Sequence, residues 1–559
     1  MTERTLSEIE VELTAPGGFF ELERAEVLGA TVEVFKHLAP TLRVHLENSL
    51  GFGDAEYVVV NDGETERRFT FEDHHARVTA LANRLRDEFA IGVGDRVGIV
   101  GANSAEWIAT FWATVSIGAI AVAFNGWWSG SEIEWAVGDA EPKVLFGDRK
   151  RLARIENKLP CRVVEFETEF EELWRPVPGL ALPPVDMGPD DPALILYTSG
   201  TSGRPKGAVH SHRNINTAVM LGFFHGLRMM TFAPPSGQHA GLPNVQLATS
   251  PLFHVSGLHM GAVTFLVGGT KSVWLTGRFD PELVMQTIER ERCTGWSFTP
   301  TMLSRVVHHP EVKRYDLSTL RTGGGGGAPF APELLEATRL VIPGIAGTLG
   351  VGYGMTECSA LATLNPGPEL PDYPRAVGRP LPGVEIRVVD DAGHVVAEGT
   401  EGEIELRGPG IMLEYWRNPE ATGTSIREDR WLRTGDIGTY SEGRLSLSTR
   451  RTDLILRGGE NVYPTEIEHR LEAHPQVSEA AVIGVPDDDL GQRVKAIVVG
   501  EVNLSVAELS DWCAGGLASF KVPAEWEFRS DPLPRNAAGK VRRAALIDDD
   551  GSFMDEDAQ

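Results

Sequence analysis

Three glycines and five small hydroxyl residues surround a single lysine in the stretch YTSGTSGRPKGAVHSH, from Tyr197 to His212. Hydroxyls, backbone N–H groups and one fixed cation suit a polyphosphate. The stretch is not a P-loop, because Lys206 precedes a glycine where that loop requires Ser or Thr. A flexible surface linker is the alternative. The apolar run PALILY disfavours it, since it predicts a buried strand that leads directly into the loop. We therefore expect a phosphate-binding loop of another kind.

Two further segments could line a nucleotide site. The run TGGGGGAPF, at Thr322–Phe330, leaves a wall almost without side chains, which can line a deep cleft or let a planar ring approach the backbone. In GYGMTE, at 352–357, Tyr353 could stack on a base, Thr356 could bind a phosphate and Glu357 could hold Mg²⁺. The alternative for the first segment is a flexible loop. The alternative for the second is an ordinary turn with a solvated carboxylate. Each motif alone is a weak signal.

Two segments nearer the C-terminus carry single charged groups. WLRTGD, at Trp431–Asp436, ends in a carboxylate that could accept both hydroxyls of a ribose. PRNAAGK, at Pro534–Lys540, places a lysine on a turn. For both, the alternative is a surface turn that carries a charge, and neither motif is decisive by itself.

The bulk composition excludes several classes of partner. A formal charge of −27 argues against nucleic acid, which requires a basic surface. The four cysteines are far apart and form no C-x-x-C pair, so we predict neither a disulfide framework nor a zinc site, and we expect a cytoplasmic location. The start of the chain lacks the regions of a signal peptide. The sequence leaves the oligomeric state open, with a homo-oligomer as one option.

One uncharged stretch has the length of a membrane span. It runs from Trp107 to Phe124, but Thr110, Thr114 and Ser116 dilute it and Gly118 divides it. We interpret it as a buried helix, a glycine turn and a buried strand, and we expect no transmembrane segment.

The chain is too long for one hydrophobic core. Its first 50 residues are interpreted as a helical lead-in. Apolar strands then alternate with amphipathic helices to about residue 341, which is typical of an α/β protein. The clearest predicted strands are DRVGIV, IAVAF, KVLFG, ALILYTSG and TKSVWL. Shorter strands and turns over about 376–447 indicate a β-rich subdomain.

After Arg450 the pattern restarts as a compact α+β domain. A capping box from Thr465 to Glu468 predicts a helix start, with Ile467 and Leu471 on its apolar face. Strands SEAAVIGV and VKAIVVG and a helix near SVAELSDWCAGG follow. We predict an α/β fold with two domains, a large N-terminal domain at 1–450 that contains the β-rich subdomain and a small mobile C-terminal domain at 451–559.

Taken together and in this order, the motifs resemble those of the adenylate-forming superfamily of acyl-CoA synthetases, adenylation domains and beetle luciferases. The resemblance extends from about Leu42 to Arg543. It implies an enzyme that activates a carboxylic acid with ATP and Mg²⁺ as acyl-adenylate, releases pyrophosphate and passes the acyl group to CoA. Two anions react in the first step, so a cation must neutralise and align them.

The resemblance also implies a role for each motif. The loop from Thr198 to Lys206 would hold the outgoing pyrophosphate, with Thr201 and Glu357 as metal ligands and Thr356 at the α-phosphate. The other loop residues that would hold the pyrophosphate are Ser199, Gly200, Ser202 and Gly203. The adenine would be framed by Gly327, Ala328, Pro329, Gly352, Tyr353, Gly354 and Met355.

Other implied roles concern the ribose, the acid and CoA. Asp436 and Arg450 would hold the ribose, and Lys540 would bridge the carboxylate and the α-phosphate. His254 would lie at the mouth of the acyl pocket, and the glycine wall would limit its depth at Gly325. After adenylation the C-terminal domain would rotate, so that Gly458 and Gly459 approach the pantetheine arm.

Two positions depart from the family pattern. The hinge, two residues after Arg450, is Thr452 where the family has Asp or Lys. Rotation remains compatible with threonine, because a hinge needs permissive dihedral angles more than charge. Glu414 stands before Tyr-Trp where glycine is common, and the sequence offers no reason for it.

Three classes of function remain after these observations. An acyl-CoA ligase is favoured over an acyl-AMP ligase that loads a carrier protein, because no carrier-like segment is present. A non-catalytic nucleotide-binding scaffold is disfavoured by the intact motif residues. The apolar stretch 214–258 favours a hydrophobic acid of the medium- or long-chain fatty class, with an aryl, branched or steroid side-chain acid as the alternative. Core packing is the other explanation for that stretch.

Overall fold

The computed structural model describes residues 4–198, 205–234, 239–324, 332–450, 453–457, 460–487, 490–500, 504–517, 519–535 and 540–547. The chain forms two compact units, a first made of Met1–Ile386 and Leu406–Arg433 and a second made of Arg387–Glu405 and Thr434–Gln559. This division differs from the predicted domain boundary after residue 450. A unit of dense packing need not end where a hinge turns, so the predicted pivot remains a prediction.

A seven-stranded sheet lies in the first unit and confirms four of the five clearest predicted strands. Its order across the sheet is Glu414–Tyr415, Lys206–Ser211, Pro192–Thr198, Ile120–Phe124, Arg96–Val100, Val144–Gly147 and Arg162–Glu165. The last five strands pair in parallel, and the first two join at the edge in antiparallel fashion. Strands buried on both faces in this way read as continuous apolar runs.

The stretch with the length of a membrane span folds as predicted. A helix at Ala105–Ser116 is buried along its whole length, and a strand follows at Ile120–Phe124. Gly118 makes the turn between them with φ +75°, a left-handed conformation that side chains disfavour. Over the described residues, no helix has the combination of length and hydropathy that spanning a bilayer requires.

A second sheet of the first unit has six strands and contains the fifth predicted strand. The order is Thr322–Gly324, Gly295–Ser297, Val245–Ala248, Lys271–Leu275, Glu56–Asn61 and Glu66–Thr70. All pairs are parallel except the last. Its core includes Val59, Leu247, Val273, Trp296 and Ile288. The two sheets establish the predicted mixed α/β class.

The helices of the first unit connect and cover these strands. They are Leu6–Leu13, Leu42–Asn48, Phe71–Asp87, Ala105–Ser116, Gly130–Ala140, Arg149–Leu152, Phe170–Leu173, His212–Phe232, Val255–Gly257, Thr264–Val267, Pro281–Glu291, Pro300–Val307, Pro332–Val341, Pro343–Ala346 and Pro419–Ser425. Three short strands, Val351–Tyr353, Thr363–Asn365 and Ala376–Pro380, pair antiparallel with one another as part of a further sheet.

The prediction of a helical lead-in is wrong in part. A β-hairpin of Leu22–Val27 and Ala30–Phe35 lies between the helices at Leu6–Leu13 and Leu42–Asn48. Leu28 and Gly29 close it with positive φ, which matches the twist of a two-residue hairpin turn. The buried side chains of the second strand alternate with exposed ones, the period of two that identifies a half-buried strand.

The second unit contains antiparallel strands from the predicted β-rich subdomain. Leu432–Ser441 pairs with Arg444–Arg450. The chain changes from one unit to the other within Glu385–Val389, Glu401–Arg407 and Leu432–Ser441. The Thr465 hydroxyl donates a hydrogen bond to the Ser448 carbonyl oxygen at 2.7 Å, which joins the hairpin to the following helix.

The C-terminal part of the second unit has the predicted α+β composition. Its strands are Ile455–Arg457, Glu460–Val462, Val477–Asp487, Gly491–Gly500 and Glu525–Arg529, and its helices are Pro464–Glu472, Val506–Ala514 and Ala544–Ile547. Ile467 and Leu471 are buried as expected. The predicted capping box is wrong. The N-cap is Tyr463 rather than Thr465, and the helix begins at Pro464, because proline suits the first helical turn.

Candidate active site

Paired strands hold the two ends of the predicted phosphate loop. Pro192–Thr198 is almost fully buried and pairs antiparallel with Lys206–Ser211, so that Thr198 lies opposite Lys206. The Thr198 hydroxyl donates to the Lys206 carbonyl oxygen at 3.4 Å. The loop residues Ser199, Gly200, Thr201, Ser202 and Gly203 lie outside the described residues. The two segments that flank the predicted loop are therefore paired strands.

Tyr415 connects Lys206 with Glu357. Tyr415 pairs with Ala208 in the edge strand, and its ring centroid lies 5.2 Å from Nζ of Lys206. Its hydroxyl donates a hydrogen bond of 2.8 Å to Oε1 of Glu357. One aromatic side chain therefore contacts the loop lysine and the predicted metal ligand, which are 151 positions apart in the chain.

The Glu357 carboxylate is not the solvated group of an ordinary turn. Glu357 is only 6% exposed, within the short 3₁₀ helix Thr356–Cys358 that follows the strand Val351–Tyr353. Its carbonyl oxygen accepts a hydrogen bond from the Met412 N–H at 2.9 Å. Burial of a carboxylate is costly unless a partner compensates it, and the Tyr415 hydroxyl is such a partner. The turn thus presents an oriented anion.

The backbone next to Glu357 is strained. Ser359 and Ala360 have φ of +61° and +104°, which residues other than glycine seldom adopt. Gly354 packs against this turn so closely that a Cβ atom there would lie 1.9 Å from the Ala360 carbonyl oxygen. Strained residues persist only where the surrounding structure holds them, and such residues concentrate at functional sites.

Two buried histidines support the strained turn. Nδ1 of His210 lies 3.0 Å from the Ser359 hydroxyl, which donates to the Gly410 carbonyl oxygen at 2.8 Å. The His259 ring packs edge-on against His210 at 5.3 Å. Burial lowers the pKa of His259 to about 4, and burial together with His259 lowers the pKa of His210 well below its ordinary value. Both rings are therefore neutral near neutral pH.

His254 lies among aromatic side chains. It precedes the short helix Val255–Gly257, and its ring is 4.8 Å from that of Phe253. Phe253 in turn contacts Trp127 at 6.5 Å, and Trp127 is 55% exposed. An apolar, aromatic surface therefore adjoins the residue predicted at the mouth of the acyl pocket.

Part of the apolar stretch 214–258 belongs to the core. Met220, Leu221 and Phe224, on the helix His212–Phe232, pack in a cluster with Phe20 and Phe35. Core packing thus explains these side chains, and they do not support a large acyl pocket. The glycine-wall residues Gly325, Gly327, Ala328 and Pro329 lie outside the described residues.

The predicted ribose residues are neighbours in the second unit. Asp436 lies opposite Arg450 in the hairpin of Leu432–Ser441 and Arg444–Arg450. Asp436 is 7% exposed and lies within the strand Leu432–Ser441 rather than on a surface turn, so its carboxylate is positioned. Lys540 is exposed beside the bridge that pairs Arg535 with Val541. Thr452, Gly458 and Gly459 lie outside the described residues.

Sequence reasoning missed the roles of Tyr415 and Ser359. Tyr415 was visible only as part of a Tyr-Trp pair, with no signal that its hydroxyl would meet a carboxylate 58 positions away. The strain at Ser359 carries no sequence signature, because neither Ser nor Ala is typical of positive φ.

Comparison with known proteins identifies the class. The model of the AMP-binding enzyme family matches residues 47–416, and that of the AMP-binding enzyme C-terminal domain matches 466–540. The chain belongs to this family, and it is an acyl-CoA synthetase of the adenylate-forming superfamily, an AMP-forming acid–thiol ligase. ATP and CoA fit this class as substrates, together with a small carboxylic acid.

Individual relatives differ in the acid that their names specify. A feruloyl-CoA synthase from Amycolatopsis is 34% identical over 85% of this chain and 93% of its own length. A long-chain-fatty-acid–CoA ligase from Yersinia pestis is 31% identical over 89% of this chain and 92% of its own. The solved structure of ATP-bound MatB from Rhodopseudomonas palustris has a TM-score of 0.79 at 31% identity, covering 90% of this chain and 98% of that one.

Proposed function

We propose that this ligase activates a hydrophobic carboxylic acid of the medium- or long-chain fatty class. A carboxylate oxygen attacks the α-phosphorus of ATP, and pyrophosphate leaves with the electrons of the broken P–O bond. The CoA thiolate then attacks the acyl carbonyl, and AMP leaves. No general base is required for the first step, because a carboxylic acid is ionised near neutral pH.

The observation that carries the adenylation step of this proposal is the contact of Tyr415 with both Lys206 and Glu357. Lys206, with the loop that begins at Thr198, is suited to neutralise the outgoing pyrophosphate. Phosphoryl chemistry of this kind depends on positioning and on electrostatic stabilisation of developing charge. A cation and an anion anchored by one ring provide fixed charges of the required signs.

The residues at Glu357 fit Mg²⁺. Within the described residues no group of three or more His, Cys, Asp or Glu side chains is arranged to hold a metal. Mg²⁺ is usually held by one or two carboxylates together with substrate phosphates, so a single oriented glutamate suits it. Glu357 and Thr201 would hold the ion, which would neutralise phosphate charge when bound.

The remaining residues receive roles from their motifs. Thr356 would contact the α-phosphate, and Asp436 and Arg450 would hold the ribose. The adenine would rest against the segment of Gly352, Tyr353, Gly354 and Met355, together with Gly327, Ala328 and Pro329. These assignments are supported by the register of the Asp436 hairpin and by the burial of Tyr353.

Lys540 would align the substrate carboxylate with the α-phosphate in the first half-reaction. A turn of the chain at Thr452 would then withdraw it and present Gly458 and Gly459 to the pantetheine arm. The two half-reactions have different nucleophiles, so each needs a different set of residues around the reacting atoms. Rotation of a domain about a hinge can bring each set to the site in turn.

An aryl acid is the second candidate substrate. The feruloyl-CoA synthase relative and the aromatic contacts of His254, Phe253 and Trp127 favour it. A panel of fatty acids of graded length and aryl acids, assayed for kcat/KM of thioester formation with CoA, tests the choice. A preference of tenfold or more for aryl acids would reject the fatty-acid proposal. Acyl transfer to a carrier protein but not to CoA would reject the proposal that CoA is the acceptor.

Lys540→Ala tests whether Lys540 acts only in the first half-reaction. The variant is expected to lose acid-dependent pyrophosphate release and to retain thioester formation from synthetic acyl-adenylate, because the lysine has no role after adenylation. Equal loss of both activities would contradict the two-state proposal.

A further inference from the structure

Lys540 is carried on a segment that is held on both sides. Arg535 and Val541 form an antiparallel bridge, and the Arg542 N–H donates to the Pro534 carbonyl oxygen at 2.8 Å. Leu533 and Leu546 are buried against strand residues of the same unit. The lysine is therefore exposed and directly precedes an anchored residue, Val541, in the chain.

Arg543, three residues after Lys540, joins that segment to two other parts of the second unit. Its Nη1 donates to Oδ2 of Asp453 at 2.9 Å, and its Nη2 donates to both carboxylate oxygens of Glu468 at 2.7 Å. Arg543 and Asp453 each have 22% of their side chains exposed, and Glu468 has 11%. A guanidinium with this geometry fixes direction as well as charge.

The two carboxylates have different positions in the chain. Glu468 lies in the helix Pro464–Glu472 and also accepts a hydrogen bond from the Val482 N–H at 2.8 Å, so it is fixed to the body of the unit. Asp453 follows the proposed pivot, Thr452, by one residue. Arg543 thus connects the residue where the chain leaves the pivot with the segment that bears Lys540.

We infer that Arg543 is a positioning residue for Lys540. Arg543 binds both Asp453 and Glu468. The segment that bears Lys540 therefore rotates as a rigid body with the residues that follow the pivot, Thr452. Without Arg543, the segment that bears Lys540 would no longer move rigidly with the residues that follow Thr452. The ammonium group would then be misplaced in the adenylating state. The inference rests on the proposed role of Lys540 and adds to it a residue that touches no substrate.

The other anchors of the segment predict that the fold survives loss of Arg543. The Leu533 and Leu546 contacts remain, as does the ion pair of Arg535 with Glu479 at 2.9 Å. The loss should therefore be local. A misplacement of about 1 Å at a reacting group can reduce a rate by about 100-fold.

Arg543→Gln and the milder Asp453→Asn, each in the full-length chain, test the inference. Both half-reactions are measured: acid-dependent pyrophosphate release, and thioester formation from synthetic acyl-adenylate and CoA. Arg543→Gln should slow the first by about 10- to 100-fold and keep the second within about threefold. Asp453→Asn should do the same more weakly. Arg493→Gln, which removes an ion pair with Glu525 at 2.9 Å elsewhere in the unit, is the matched control and should affect neither.

Either of two results would overturn the inference, and Lys540→Ala separates its failure from a failure of the proposed function. Normal adenylation by both variants would show that Lys540 needs no such support. Equal loss of both half-reactions, with a Tm drop well beyond that of Arg493→Gln, would assign Arg543 a merely structural role. Normal adenylation by Lys540→Ala would remove the proposed function on which the inference rests, whereas a defective Lys540→Ala beside a normal Arg543→Gln would reject the inference alone.

Discussion

Removing the hydroxyl of Tyr415 tests the candidate site at its centre. Tyr415→Phe deletes the hydrogen bond of 2.8 Å to Glu357 and keeps the ring beneath Lys206. A hydrogen bond to a charged group contributes about 1.5–3 kcal/mol. Partners that orient a metal-binding carboxylate typically change activity or metal affinity by about 10- to 100-fold when lost. We expect a decrease of that size in acid-dependent pyrophosphate release, together with a higher Mg²⁺ requirement.

The two half-reactions should respond differently to Tyr415→Phe. Thioester formation from preformed acyl-adenylate involves no departing pyrophosphate, so it should stay within about threefold of the unchanged protein. Tyr415→Leu also removes the contact with Lys206, which contributes about 0.5–1 kcal/mol at a site of this kind, and should therefore be slower again in adenylation.

Tyr315→Phe provides a chemically matched control. The Tyr315 hydroxyl also donates to a glutamate, Glu282, at 2.7 Å, on an exposed part of the first unit. Its loss should leave both half-reactions unchanged. Wild-type adenylation and Mg²⁺ dependence in Tyr415→Phe would refute the reasoning, because Glu357 would then need no orienting partner.

Three other changes address the turn, the pivot and the buried histidines. Gly354→Ala should destabilise the first unit by about 1–3 kcal/mol and impair adenylation, since its Cβ would overlap the Ala360 carbonyl oxygen, whereas Gly138→Ala, with open space around it, should be neutral or stabilising in a denaturant titration. Thr452→Pro should release pyrophosphate in a single turnover but transfer little acyl group to CoA, because proline fixes φ near −65°, and normal transfer would place the pivot elsewhere. The pKa of His259 is about 4 in the folded protein and about 6.5 in the unfolded chain. Its contribution to the free energy of unfolding is therefore fully present above pH 6.5 and is lost as the pH falls, by about 3 kcal/mol at pH 4. Unfolding curves between pH 7.5 and 4 should be flatter for His259→Gln, and identical slopes would contradict the buried neutral state.

Continuous apolar runs made the sheets of the first unit predictable. Ile120–Phe124 and Pro192–Thr198 are buried on both faces, so each reads as an unbroken apolar segment. The hairpin closed by Leu28 and Gly29 was missed because alternation of charged and apolar residues is a weaker signal than a continuous run. At Pro464, the ring's suitability for a first helical turn outweighed the Thr465 hydroxyl as the determinant of the helix start.

The residue types at the site could be predicted from motifs, but their support could not. Glu357 and Lys206 are visible in sequence because their neighbours are distinctive. The residue that contacts both, Tyr415, is distant in the sequence from Glu357 and from Lys206. His210 and Ser359, which support the turn next to Glu357, belong to no distinctive motif. Such contacts depend on how the edge strand Glu414–Tyr415 meets Lys206–Ser211, a pairing between distant segments that local pattern does not encode.

Strain and burial near Glu357 indicate how its position is determined. Each residue held at an unfavourable positive φ costs about 1–3 kcal/mol, and Ser359 and Ala360 are both such residues. Ser359 is held by hydrogen bonds from His210 and to Gly410, all within the first unit. The orientation of Glu357 is therefore set by contacts of the chain itself. A preorganised anion needs no rearrangement when ATP arrives, which is the condition under which fixed charges are most effective in lowering a barrier.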